Sequence, residues 1–319
     1  MESELRNRFC DTYEMANPFS GSTQREDDIV MGEWRSPRQM LHDQTYDGHV
    51  SVHDDSMAEG LGLPGAPIEG PTHFSQLDLL AYEMFGDEWF VTGCVSSHFE
   101  NMVIEGEKVK AFARQVGDHT AEAWAEKENG DRVLAASLTV KDANTALSER
   151  LGAAQEKDPG ELFIIDRLEL GMTTGPDNAT LTMNEHNGDM YPFSLAEKLT
   201  SITEPCQWYS DDDSSPWQLP VVPSEMLSVM GHRGGSHLPV RGPSVGLFID
   251  LEVCRRQPVL VGAEYSVTHE VVAMGQSRRV ESYWTRSSIV DVHGASVADV
   301  LLHQGVFKAS FEGYPTSAT

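Results

Sequence analysis

The sequence predicts an α+β fold in which one unit is written twice, each copy an antiparallel sheet wrapped around a central helix. Three observations carry this. First, the stretch LGLPGAPIEGPTHFSQLDLLAYEMFG followed by VSSHFENMVIEGEKVKAFARQ returns as LPVVPSEMLSVMGHRGG followed by VGLFIDLEVCRRQPVLVGAEYSVTHEV. Second, both copies run in the same order: Pro and small residues, an apolar helical stretch, a strand, a corner ending in Gly, and a second strand. Third, the matching corners at Gly106 and Gly262 lie about 156 residues apart, too long a period for a solenoid and suited to a duplicated domain.

Each element follows from its local pattern. Residues 1–25 are polar and read as an arm or an edge strand, and residues 27–56 as an irregular stretch rich in acids and His. In PTHFSQLDLLAYEMFG, Phe74, Leu77, Leu80, Ala81 and Met84 recur at helical spacing and define one packed face. From Phe90 to Asp142 the pattern alternates with period two in FVTGCVSSHF, EKVKAFARQV, HTAEAWAEKE and RVLAASLTV, with a hairpin turn at ENGD. TALSERLGAAQEKDPG reads as a short helix with a Pro-Gly stop. The second half predicts strands at FIIDRLELGM and ATLTMNEH, helices at SLAEKLTSI and SEMLSVMGH, and a closing meander of four strands to about residue 310. The division expected is an arm at 1–25, a first unit at 26–144, a linker helix at 145–160 and a second unit at 161–319.

Composition excludes several classes of function. With 39% hydrophobic residues the 319-residue chain can bury a full core, and no apolar run approaches the roughly 18 residues of a membrane span. A formal charge of −27 repels nucleic acid and anionic membrane surfaces, so neither is expected as a partner. The start MESELRNRFC has no apolar core of the kind a secretory signal needs. Cys10, Cys94, Cys206 and Cys254 are scattered without a CxxC pair, which predicts neither a zinc site nor a disulfide framework and fits a reducing, cytoplasmic setting. GxGxxG after a strand and GxxxxGKS are both missing, so a nucleotide-binding reading has no anchor. No cofactor is implied.

The run HDDSMAEGLGLPGAPIEGP resembles the passage from H-x-D-x-x-x-A through a Gly-rich loop into the central helix of the MaoC-like hydratases and dehydratases. HFENMVIEGEKVKAF resembles that family's strand, P-V-x-x-G-D corner and second strand. The resemblance covers about residues 25–310 and implies a tandem, or double, hotdog fold. It also implies a small acyl thioester, carried on CoA or an acyl carrier, as substrate. In the family an Asp and a His in D-x-N-P-x-H stand at the mouth of a thioester tunnel, and the start of the hotdog helix donates N–H groups to the thioester carbonyl. Here the first copy keeps His53, but Gly48 stands five residues before it, and Asp47 serves only with a one-residue shift. The second copy keeps Asp213 and Pro216 in DDDSSPWQ, with Gln218 at the His position, and Gln transfers no proton near neutral pH.

The candidate catalytic residues are therefore His53, Asp47 and Glu69, with His49, Gly70, His73 and Arg233 as candidate substrate-binding residues. His53 also reads as a loop His bonded to Asp55, and Asp47 as a turn residue in Tyr-Asp-Gly. His49, two residues along an extended stretch from residue 51, places an imidazole on the side of His53. A metal held by His49, His53 and Asp55 lacks a further ligand fixed by spacing, so no metal is expected. Glu69 stands where the family usually has His and could signal a changed reaction, as acidic residues on this helix serve other hotdog thioesterases; otherwise it is an acid favouring a helix N-terminus. His73 follows Glu69 at i, i+4 and either pairs with it or packs half-buried against the sheet. Asp78 reads as a polar-face residue. Glu225, His232, Arg233 and His237 surround GHRGGSH, where Arg233 or Arg241 could hold an anionic group, or the whole be a solvent-facing loop. For the polyanion CoA, Arg255-Arg256, Arg278-Arg279, Lys108 and Lys110 are the basic residues on offer.

The function expected is a lyase adding or removing water across a double bond conjugated to an acyl carbonyl. The alternatives are an acyl thioester hydrolase using Glu69, a lyase or isomerase of a non-CoA apolar substrate, and an inactive ligand-binding hotdog. The two-unit chain suffices as a monomer, and a homodimer stays open.

Overall fold

The computed structural model describes residues 17–45, 49, 51–141, 143–234 and 237–315. The strands are β1 (Gln24–Glu26), β2 (Ile29–Met31), β3 (Cys94–Phe99), β4 (Val109–Gly117), β5 (Thr120–Lys127), β6 (Arg132–Thr139), β7 (Thr173–Asn178), β8 (Gly246–Arg255), β9 (Tyr265–Gln276), β10 (Val280–Asp291) and β11 (Ser296–Phe307). The helices are α1 (Asp55–Gly60), α2 (Phe74–Phe85), α3 (Glu88–Thr92), α4 (Ala146–Gln155), α5 (Leu195–Ser201) and α6 (Ser224–His232). A 3₁₀ turn over Gly70–His73 leads straight into α2.

All eleven strands form one antiparallel sheet in the order β1-β2-β4-β5-β6-β3-β8-β11-β10-β9-β7. The two meanders, β3 to β6 and β8 to β11, are mirror-ordered about the β3–β8 contact. In that contact Ser96 faces Glu252, and the two are separated by the same interval as Gly106 and Gly262. The relating axis therefore passes through this pair. Both corner glycines have positive φ, 95° and 81°, a region that side chains with Cβ avoid, so the two turns demand glycine. α2 and α6 pack on the same face of the sheet and against each other. Their buried faces (Phe74, Leu77, Leu80, Ala81; Met226, Leu227, Val229, Met230) share one core with Val95, Leu251 and Val253. Gly86, at φ 59°, ends α2. On the opposite face α4 buries Leu147 and Leu151 against Ala273, Trp284 and Leu301.

Asp78, expected on a polar face, is instead fully buried. It accepts hydrogen bonds from the Trp89 indole (2.8 Å), the Tyr209 hydroxyl (3.1 Å), and both the backbone N–H (3.1 Å) and hydroxyl of Ser224. A carboxylate from the first copy thus occupies the N-terminus of the second copy's helix, where the dipole and free N–H groups favour it. Arg255, expected to be available to CoA, is buried in the same network, donating to the Ser224 hydroxyl (2.9 Å) and to the Val222 carbonyl (3.1 Å).

Three stretches depart from the expected elements. FIIDRLELGM is no strand: the Glu281 carboxylate accepts the backbone N–H groups of Phe163, Ile164 and Ile165 at 2.9, 2.8 and 3.1 Å, folding the segment into turns while burying both Ile side chains. ATLTMNEH is also irregular, and β7 lies between the two, in TTGPDN against β9. Residues 90–92, expected to begin a strand, lie in α3, because Trp89 and Phe90 are drawn into the core below Asp78.

The cysteine expectation is overturned as well. Cys94 and Cys254 face each other in the β3–β8 register and form a disulfide across 160 residues of chain. Spacing along the sequence was blind to a pairing set by the sheet. Related to it by the same axis, His98 faces Asp250, whose buried carboxylate accepts hydrogen bonds from His98 (2.8 Å), His303 (2.7 Å) and Arg150 of α4. Burial works against the Asp250 charge, but these three donors outweigh it and hold the carboxyl well below the usual range. Among the described residues, no helix is long and apolar enough to cross a membrane.

Alkylating the denatured chain without reductant is expected to modify Cys10 and Cys206 and leave one cross-linked peptide pair holding Cys94 and Cys254. Peptide mapping that finds both of these cysteines alkylated contradicts the pairing.

Candidate functional site

The chain from Val52 to His73 wraps the start of the first copy's helix, and the space between that start and the second copy's sheet is a cavity of about 220 Å³. Its apolar wall combines Ile68, Phe99 and Val103 of the first half with Leu238, Phe248 and Val306 of the second. Six of the residues singled out from the sequence line it: His49, His53, Glu69, Gly70, His73 and His232.

His53 is fixed through its ring. Its Nδ1 lies 2.6 Å from the Pro67 carbonyl, which can only accept, so Nδ1 carries the proton and Nε2 is the basic nitrogen of the neutral imidazole. The bond goes to Pro67 rather than to Asp55, whose carboxylate accepts the Ala66 N–H at 3.1 Å. Burial lowers the His53 pKa, opposed by the Pro67 bond and the Glu69 charge, and keeps the ring neutral and basic near pH 7.

Glu69 follows two residues after Pro67 and precedes the helix start. It is 6% exposed, and its Oε1 is buried without a hydrogen-bond partner. Its Oε2 lies 3.6 Å from the Lys198 ammonium of α5. Lys198 also approaches the Glu225 carboxylate of α6 (3.2 Å) and donates to the Thr72 hydroxyl (3.2 Å). Glu225, expected near a solvent-facing loop, is thus 2% exposed and part of this buried ion cluster. Burial, opposed by the Lys198 charge and reinforced by Glu69, pushes Glu225 up to about 7. Lys198 was not singled out from the sequence; in SLAEKLTSI it reads as an ordinary helix-surface lysine. The available signal was the Ser194–Glu197 capping box, which starts α5 and fixes the face on which Lys198 lies.

Gly70 begins the 3₁₀ turn into α2, and a Cβ there would stand 2.8 Å from the Phe99 ring, so only glycine admits this close approach. The equivalent start in the second copy is closed by Asp78, which accepts the Ser224 N–H at 3.1 Å; the Val222 to Val259 bond just before it (2.9 Å) is matched in the first copy by Ile68 to Val103 (2.7 Å). The sequence-aligned Asp213 and Gln218 are exposed and do not line the cavity. His73 is 3% exposed and its Nδ1 has no hydrogen-bond partner, so it does not pair with Glu69. Burial, with the charges of Lys198 and Lys127, pushes it down to about 4.

At the cavity's outer end His49 Nδ1 lies 3.0 Å from the Ser244 hydroxyl, and the Tyr191 hydroxyl lies 2.8 Å from His232 Nδ1. Burial, then His269, pushes His232 down to about 4. Arg233 lies outside this cavity, in an adjoining open groove, where it donates to the Thr180 carbonyl (2.6 Å) and to Asn187 Oδ1 (2.5 Å). It therefore braces the loops there and does not line the cavity that holds His53 and Glu69. Arg241 is likewise paired, bidentate, with Asp166 at 2.6 Å. Asp47 lies outside the described residues.

The sign of the pH dependence follows from His73 and His232. Both have folded pKa values near 4, below the ordinary 6.5, so their contribution to stability is complete above pH 6.5 and is lost as pH falls from there to about 4. Replacing His73 by Gln is expected to make the loss of unfolding free energy over that window shallower, as read by urea denaturation. An unchanged slope contradicts a buried neutral His73.

No protein-family model matches the chain, and no curated protein matches it. Among solved structures it is similar to a conserved hypothetical protein from Mycobacterium tuberculosis with a double hotdog fold, at 12% identity over 80% of this chain and 87% of that one (TM-score 0.52). It is also similar to a MaoC domain dehydratase from Chloroflexus aurantiacus, at 13% identity over 90% of this chain and 97% of that one (TM-score 0.53). The likeness is one of fold, and this chain has the double hotdog fold.

Proposed function

We propose that the protein is a hydro-lyase of the hydratase and dehydratase type, acting on a small substrate whose double bond is conjugated to an acyl carbonyl, most simply a thioester. One observation carries the reading: His53, locked with Nε2 as its basic nitrogen, and Glu69, with a buried unpartnered oxygen, line one apolar cavity beside Gly70 at the start of a helix. In the dehydration direction His53 Nε2 takes the α-proton. Electron density moves onto the carbonyl oxygen, where the helix start at Gly70 stabilises the developing charge. Glu69 hands its proton to the departing hydroxyl, and water leaves. Hydration runs the same steps in reverse. Two groups on one cavity wall supply base and acid, each worth roughly 10²–10⁴-fold.

The carboxylate in this reading is Glu69 rather than Asp47. The apolar lining and the volume of about 220 Å³ favour a short acyl group. The formal charge of −27 and the engagement of Arg233, Arg241 and Arg255 within the protein favour a carrier held by contacts other than a dense basic patch. The runner-up is thioester hydrolysis, favoured by the same unpartnered Glu69 oxygen, which could attack the carbonyl or activate water.

A mixed panel of enoyl, 3-hydroxyacyl and saturated acyl thioesters, read by mass spectrometry, separates these readings. Gain or loss of water with the thioester intact is expected, falling at least about 100-fold in both His53→Ala and Glu69→Gln. Release of the free thiol, lost in Glu69→Gln and kept in His53→Ala, would establish the hydrolase instead. Turnover that survives both substitutions overturns both.

A further inference from the structure

Around Lys198 the fold brings together one cation and two carboxyl groups in a dry space. Lys198 comes from α5, Glu69 from the loop before α2, and Glu225 from the first turn of α6. All three side chains are almost wholly buried, at 3%, 7% and 1% exposure. The ammonium lies 3.6 Å from Glu69 Oε2 and 3.2 Å from Glu225 Oε2, and 5.3 Å from the centre of the Phe193 ring. With both carboxyl groups ionised, the cluster would carry an uncompensated negative charge in a water-poor space, an expensive arrangement.

The other charged or titratable groups facing it do not supply that compensation. His73 is held neutral by burial. Lys127 of β5 is bound by the Glu107 carboxylate at 2.8 Å. Asp78 of α2 adds a like charge that Glu225 feels; its own partners are Trp89, Tyr209 and Ser224, and the buried Arg255 guanidinium of that network is drawn to Asp78. His53, which lines the same cavity as Glu69, is also held neutral. What remains is a proton: two buried carboxyl groups facing one cation, with Glu69 Oε1 and Glu225 Oε1 lacking any hydrogen-bond partner, are most stable when they hold one proton between them.

We propose that Lys198 is a positioning residue that clamps Glu69 and Glu225 into a pair sharing a single proton. Resting on the hydro-lyase reading, this deepens the role of Glu69. With the proton on Glu69, that carboxyl donates to the departing hydroxyl. In the hydration direction the cycle starts with that proton on His53 Nε2, which gives it to the α-carbon while Glu69 takes one from water, so that the pair again holds a single proton. Lys198 stays an ammonium in both states, and the proton spent by Glu69 is restored from the one that His53 removed. Glu225 does not line the cavity; it acts through Glu69. The two copies of the fold thereby each contribute one carboxyl group to a single site.

The test has one readout independent of turnover. Infrared difference spectra of the full chain near pH 7, in H₂O and D₂O, report the carbonyl stretch of a protonated carboxyl group. One such band is expected in the wild type. It should vanish in Glu225→Gln and in Glu69→Gln, where one cation meets one carboxylate, and about double in intensity in Lys198→Met. A wild type without the band, or a band that survives both Gln substitutions, overturns the shared proton. For the positioning role, Lys198→Met is expected to lower kcat on the active thioester at least about 100-fold with KM nearly unchanged, and Lys198→Arg to recover part of it. A loss confined to KM would overturn that role. If the band behaves as expected but no thioester is turned over, the hydro-lyase reading fails and the proton-sharing pair stands. If Glu69→Gln abolishes turnover and the band does not respond, the pair fails and the reading stands.

Discussion

The contact between β3 and β8 is the constraint on which the rest of the structure depends. By pairing Cys94 with Cys254 and His98 with Asp250 about an axis through Ser96 and Glu252, it turns two meanders into one sheet. A single sheet gives both helices one common face to bury, so α2 and α6 must touch. That contact places the Asp78 carboxylate at the start of α6 and brings Glu225 within ion-pair distance of the lysine that also faces Glu69. The disulfide and the Asp250 cluster stand at the two ends of the junction, on the face covered by α4.

Duplication makes two helix starts, and the fold uses them differently. In the first copy the start at Gly70 opens onto an apolar cavity, and Phe99 packs so close that no side chain fits there. The matching start in the second copy is filled by Asp78, backed by Arg255, and its Ser224 N–H is spent on that carboxylate. A helix N-terminus that already holds a carboxylate offers little to a developing oxyanion. This is the physical reason to place one site in a chain with two hotdog units. It also explains why Asp213 and Gln218, the remnant of the motif in the second copy, can sit exposed on the surface.

Elements governed by local periodicity were legible in the sequence: the spacing of Phe74, Leu77 and Leu80 predicts α2, and alternation predicts β4 to β6 and β8 to β11. Elements decided by a distant partner were not. The apolar run 163–172 has strand composition, yet its backbone donors go to Glu281, more than a hundred residues away. Cys94 and Cys254 show no spacing signal because the sheet, not the chain, brings them together. The site divides the same way. His53, Glu69, Gly70 and His73 fall within one short segment and were found together, while Lys198 and Glu225 arrive through tertiary packing and carry no motif. Asp78 was misjudged because a charged residue on a helix is read as solvated unless its partners are known.

The central claim is that His53 Nε2 is a base aimed at the α-carbon of an acyl group in the cavity. The most direct measurement is proton exchange: a saturated acyl thioester, which cannot lose water, incubated with the protein in D₂O and followed by NMR. The account expects deuterium to enter at the α-carbon on one face only, with the thioester intact. Exchange should vanish in His53→Ala and persist in Glu69→Gln, which removes the acid and leaves the base. Exchange that persists in His53→Ala, or an acyl group that gains no deuterium from the wild type, would contradict it.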